Sequence, residues 1–120
     1  SNSSGYFASA RLNRQQARDS ALSLLQEAAA DEKADQASVD QANVTIQAMA
    51  TYTLAEANIE NLVTAKGYSD CVAFLNDNSI SVVVSNNGTP LADADTAKIS
   101  EIVMEETGLK ASQIKIIEAS

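Results

Sequence analysis

The chain has 120 residues, enough for one domain with a modest core, and sixteen acidic against eight basic residues give a formal charge of −8. So acidic a surface repels phosphate backbones and argues against a nucleic-acid ligand, while the absence of histidine removes the commonest general base and metal ligand. One cysteine, Cys71, excludes an internal disulfide, and at a mean hydropathy of −0.12 no run approaches the roughly 20 apolar residues that span a bilayer.

Ser1-Asn2-Ser3-Ser4-Gly5 carries little information, and residues 1–7 read as a tag or linker. From Ala8 to Ala30 good helix formers follow one another without glycine or proline, which predicts a helix. Its apolar stripe of Leu12, Leu22, Leu25 and Ala29 is thin, with Gln15, Gln16 and Asp19 where apolar residues are expected. These features predict a polar arm and linker over residues 8–37, outside the core. The chain's three arginines, Arg11, Arg14 and Arg18, fall on it at helical spacing. Such a stripe is either a solvated face or a contact for an acidic partner or lipid headgroups.

Ser38-Val39-Asp40-Gln41 matches the capping box that opens a helix, so the pattern breaks near Gln36–Ser38, with one continuous bent helix as the alternative. The second helix runs to Lys66, with Val44, Ala48, Tyr52, Ala55, Ile59, Leu62 and Val63 along one face and Gly67 to close it. Asp70–Leu75 and Ser79–Ser85 read as strands joined by a tight turn at Asn76-Asp77-Asn78, which makes an antiparallel hairpin. After the loop Asn86-Asn87-Gly88-Thr89-Pro90, a helix from Ala92 to Thr107 stops at Gly108, and Gln113–Glu118 reads as a last strand.

The order helix, strand, strand, helix, strand predicts a two-layer α+β domain over residues 38–118, with two helices on one face of a three-stranded sheet. Ile59, Leu62, Val63, Phe74, Val82, Ile99, Ile102 and Val103 are its expected core. A helical crossover makes the last strand parallel to the second, and placing the apolar run of residues 71–75 between them gives strand order 2-1-3. The second strand is then an edge without charge or proline, the usual guards against foreign strands. Ser79, Ser81, Val83 and Ser85 therefore join the three arginines as candidate partner-binding residues, through strand addition, unless a loop or the arm covers that edge.

Nothing in the chain points to catalysis, a cofactor or a metal. Cys71 sits among apolar neighbours without a base, which is the setting of a buried thiol. Asp93 and Asp95 suit a helix start, and the remaining acids match no calcium-loop spacing. A KH-like nucleic-acid module would suit two helices on three strands, but it needs a GxxG loop and a positive face, and both are missing.

Three stretches, "SARLNRQQARDSALSLLQE", "IENLVTAKGYSDCVAFLNDNSISVVV" and "KISEIVMEETGLKASQIKI", resemble the extracytoplasmic part of the stage III sporulation protein AH family. The likeness runs from about Ser9 to Ile117. Its most specific pieces are the "IENL-x-x-AKG" helix end leading into the hairpin and the "E-I-V-x-x-E-T-G" helix end before "S-x-I-K-I". The resemblance implies a ring-building motif like that of type III secretion ring proteins and a single transmembrane helix upstream of the sequence. It further implies a place in the mother-cell membrane, with this domain in the space before the forespore. There the expected partner is stage II sporulation protein Q, and a homo-oligomeric ring contributes to a transenvelope channel. An unrelated extracytoplasmic interaction domain is the other reading.

Overall fold

The computed structural model describes residues 2–120, with side chains from Gly5 onward. The first residue of the expected tag lies outside them. Helix α1 spans Asn2–Ala29 and α2 spans Gln36–Ala65, separated by a turn at residues 30–35. The helix is therefore broken, but three residues earlier than the capping box implies. Asp35 is the N-cap, in extended conformation (φ −71°, ψ 161°), and its Oδ1 accepts from the Ser38 amide at 2.8 Å. Ser38 is the donor in this cap, because an aspartate upstream already satisfies the orphan amide that a serine oxygen would have accepted. The C-terminus of α2 closes on Gly67, whose φ of +108° is open to glycine and costly for other residues.

Beyond α2 come β1 (Cys71–Leu75), β2 (Ile80–Ser85), α3 (Asp93–Thr107), a 3-10 turn at Ala111–Gln113 and β3 (Ile114–Ala119). In α3 the Asp95 Oδ2 reaches back to accept from the Ala92 amide at 2.9 Å, and the Asp95 Oδ1 takes the Tyr68 hydroxyl at 2.6 Å. These bonds, the Tyr68 one foremost, hold the Asp95 carboxyl below its ordinary range.

The sheet order is β1-β2-β3, with β2 antiparallel to β1 and parallel to β3. The expected order 2-1-3 is thus corrected: β2 is the central strand. Its want of charge is the mark of a strand paired on both sides and buried on both faces. Ile80, Val82, Val83, Val84 and Ser85 are all buried.

One sheet face carries Cys71, Ala73, Leu75, Ile80, Val82 and Val84 against Ile59 and Val63 of α2 and Ile99, Ile102 and Val103 of α3. Two of the eight expected core residues stand elsewhere. Leu62 is 42% exposed, because the face of α2 that meets the sheet is set by Ile59 and Val63. Phe74 points to the opposite sheet face, as strand alternation requires once Ala73 and Leu75 face the helices.

That opposite face has its own small core. Phe7, fully buried, packs with Val72 and Val83, bordered by Ala10, Phe74 and Ala119. Residues 5–7 are therefore helix rather than linker, and Phe7 brings the start of α1 onto the sheet beside the chain's last strand. The inward stripe of α1 runs through Phe7, Ala10, Arg14, Arg18, Leu22, Leu25 and Ala29, all buried or half-buried, whereas Leu12 is 54% exposed. Leu22, Leu25 and Ala29 stand where the expected stripe has them; Leu12 does not, because in the first half of α1 arginine stems, apolar along most of their length, line the inward face in place of aliphatic residues.

Candidate interaction surfaces

The arginines of α1 face inward. Arg18 Nη1 lies 2.5 Å from Glu56 Oε1 and Nη2 lies 3.1 Å from Oε2, and Nη1 also reaches the Thr53 hydroxyl at 2.9 Å. Arg14 Nη1 donates to Glu60 Oε2 at 2.6 Å, with its Nε 3.6 Å from Glu56. Arg11 Nη2 donates to Asp70 Oδ1 at 2.8 Å. The pairs 14 with 60 and 18 with 56 fix α1 antiparallel to α2, one helical turn per rung.

Glu56 is fully buried, and no buried side-chain polar atom lacks a partner among the described residues. A buried ion pair of this kind sets register more reliably than it adds stability, since desolvation offsets much of the attraction. The three arginines were expected at a partner or in solvent; the structure spends them on holding the chain to itself.

The same groups also cover the outer edge of β1. Residues 71, 73 and 75 turn their backbone groups away from β2, and five of the six bonds that a fourth strand would make there are made by side chains, the Leu75 carbonyl being the exception. Glu60 Oε2 accepts from the Ala73 amide at 2.9 Å and Glu56 Oε2 from the Leu75 amide at 2.8 Å. Arg14 donates to the Ala73 carbonyl at 2.6 Å and Arg11 to the Cys71 carbonyl at 3.0 Å. The Cys71 amide is taken by Asp70 Oδ1 at 2.9 Å. Sequence reading missed Glu56, Glu60, Asp70 and Phe7. The signal was present: two acids four residues apart as the only charges between Gln41 and Ala65, matching arginines three and four apart on another helix.

The expectation that Ser79–Ser85 is a bare edge fails with the strand order. Its backbone is shared between β1 and β3, and Val83 and Ser85 are 4% and 2% exposed. Ser79 is half-buried beside the hairpin turn, where its carbonyl accepts from the Asn76 amide. Ser81 alone of the four presents a half-buried side chain on the outer sheet face within a strand, paired with Lys115.

The open edge is that of β3. Ala119 O accepts from the Asn86 amide on the β2 side, so alternation turns the backbone groups of Ile116 and Glu118 outward, where no further strand follows among the described residues. Ile117, 38% exposed, and exposed Lys115 border this edge on the outer face. The Glu118 side chain ties the strand to the preceding loop, accepting from Asn86 Nδ2 at 3.0 Å and from the Leu91 amide at 2.8 Å.

Cys71 is buried, and burial, with the charges of Glu60 and Asp70, pushes its thiol up to about 12 against the opposing pull of Arg11 and Arg14. A thiol so protonated is a packing group. Among the described residues no cluster of three or more potential ligands gathers to hold a metal ion, and no helix is long and apolar enough to cross a membrane.

A mixed three-stranded sheet with α2 and α3 on one face, and with α1 stitched to its β1 edge by ion pairs, defines an α+β domain. Residues 1–116 match the model of the SpoIIIAH-like protein family, and the chain belongs to that family. By sequence alone, no curated protein matches it. Among solved structures it is similar to a chain of the SpoIIQ-SpoIIIAH pore forming complex, at 18% identity and a TM-score of 0.84, over 94% of this chain and 96% of that one. It is also similar, at 22% identity and a TM-score of 0.57, to the type III secretion system protein EscJ of enteropathogenic E. coli, over 76% of this chain and 60% of that one. At these identities the two likenesses establish the shared fold.

Proposed function

We propose that the chain is a structural, non-enzymatic part of a sporulation channel between mother cell and forespore. In this reading it is anchored in the mother-cell membrane by a single helix preceding residue 1. The domain stands in the space between the two membranes, binds a SpoIIQ-type protein and assembles into a ring. Membership of the SpoIIIAH-like family over residues 1–116 carries this reading. The near-complete fold likeness to a chain of the SpoIIQ-SpoIIIAH pore forming complex supports the partner, and the likeness to EscJ supports a ring.

Within this function the open edge of β3, flanked by Ser81, Lys115 and Ile117, is the surface proposed for the partner. Strand addition would supply affinity through the outward backbone groups of Ile116 and Glu118 and specificity through alternate side chains. Co-purification with the protein Q ectodomain of the same organism tests it. A stable complex, weakened at least about tenfold by Ile117→Lys with no loss of folding, is the expected outcome, roughly 1.4 kcal/mol. No complex at any salt concentration would remove the partner, and a complex indifferent to Ile117→Lys would remove the β3 edge.

A further inference from the structure

The two edges of the sheet are treated in opposite ways. That of β3 is left open; that of β1 has all its outward backbone groups but the Leu75 carbonyl bonded by the side chains of Arg11, Arg14, Glu56, Glu60 and Asp70. We propose that this side-chain ladder is an edge guard: it holds the place of a fourth strand so that the open β3 edge of a second copy cannot pair there. Sheet extension from copy to copy is thereby closed off, and strand pairing with another chain is confined to one side of the molecule. The inference rests on the open β3 edge assigned above but not on who occupies it.

The physical reason is the polarity of the two edges. A chain with one open edge and one bare edge can add copies head to tail, and unless the rotation closes a ring the result is a fibre. Natural sheets blunt such edges with charge, bulges or covering elements. Here the guard is more specific than coverage, because carboxylates meet the amides and guanidinium groups meet the carbonyls. Each is a charge-assisted bond that an incoming backbone would have to displace. Three of the five residues come from outside α1, so lifting α1 alone would expose the carbonyls of Cys71 and Ala73 while leaving the amides of Ala73 and Leu75 accepted by Glu60 and Glu56. A ring built by this chain must then use surfaces other than the β1 edge.

The experiment compares the parent chain with Arg14→Ala/Glu60→Ala, which removes a cation and an anion together and bares both backbone groups of Ala73. Amide exchange at Ala73 should accelerate at least about tenfold in dilute solution. Sedimentation at tens of micromolar should show concentration-dependent oligomers that the parent lacks. Adding Ile117→Lys, which charges the β3 edge, should return the variant to monomer and identify β3 of a second copy as the occupant. Should circular dichroism show that the double variant has lost its helix content, Glu60→Ala alone carries the test. It frees the Ala73 amide and leaves Arg14 within reach of Glu56. A folded variant whose Ala73 amide exchanges fast yet which stays monomeric overturns the proposal. So does one whose Ala73 amide stays as protected as in the parent, and so do oligomers that persist with Ile117→Lys.

Discussion

Truncating Phe7 to Ala would delete a ring with no exposed surface, leaving Val72 and Val83 facing a void. The expected cost is about 3–5 kcal/mol in denaturant unfolding, whereas Leu12→Ala, on the solvent side of the same helix, should stay within about 0.5 kcal/mol. Equal losses at the two sites would mean that α1 does not dock as described. Titration gives a second residue-scale expectation. Asp35, Asp95 and Glu118 are held below the ordinary carboxylate range by hydrogen bonds from Ser38, Tyr68 and Asn86 respectively. Their contribution is complete above those ordinary values and is lost as pH falls through the lowered folded ones. Tyr68 is raised to about 12 by desolvation and by its bond to Asp95, and Cys71 to about 12 by burial. Their contributions are complete below the ordinary values of 10 and 9 and fade as pH climbs toward 12. The melting temperature should therefore be flat from about pH 5 to 8.5 and fall on both sides. Cys71→Ala should make the alkaline fall shallower, and an unchanged alkaline limb would show that the thiol is not buried as described. For the same reason a thiol reagent at neutral pH should modify Cys71 only as fast as the domain opens.

Helix ends show opposite demands on glycine. Gly108 closes α3 at φ +73°, so Gly108→Ala should cost about 1–2 kcal/mol through left-handed strain alone. Gly5 lies inside α1 with open space around it, so Gly5→Ala should instead stabilise by about 0.5 kcal/mol. Melting curves of the two variants moving in the same direction would contradict both assignments. The elements themselves were legible: periodicity placed α2, the hairpin, α3 and β3 within one to three residues of where they stand, because local propensity and the core pattern agree there. What failed was pairing. Strand order turns on which side of β1 needs a neighbour, and that side is filled by Arg11, Arg14, Glu56 and Glu60, residues up to 60 positions away in the chain. A pattern of apolar residues cannot register a contact made by charged ones. The same blindness hid Phe7, whose neighbours Ser3, Ser4 and Gly5 look like linker, and turned the arginine stripe outward.

At the scale of the molecule, the large exposed apolar residues Leu12, Leu24, Val44 and Leu54 are spread over α1 and α2, so the chain should sediment as a monomer at micromolar concentration. Assembly would then draw on tethering and on a partner to raise the local concentration. A closed oligomer of the isolated chain at micromolar concentration would contradict this. The body measures 56 × 30 × 19 Å, and its long dimension follows the paired helices.

Phe7 meets Ala119 across the outer sheet face, which brings the two ends of the chain to one pole of this elongated body. The turn at residues 30–35 is the opposite pole, about 40 Å away along helices of 28 and 30 residues. Connectivity is therefore interchangeable with contact. A short linker joining Ser120 to the start of α1, with new termini opened between Asp31 and Ala34, should give a circular permutant with the parent's circular dichroism spectrum and a similar melting temperature. Whatever is joined ahead of α1 or after β3 must sit at the sheet pole, and a probe at Asp31 would report from the far tip.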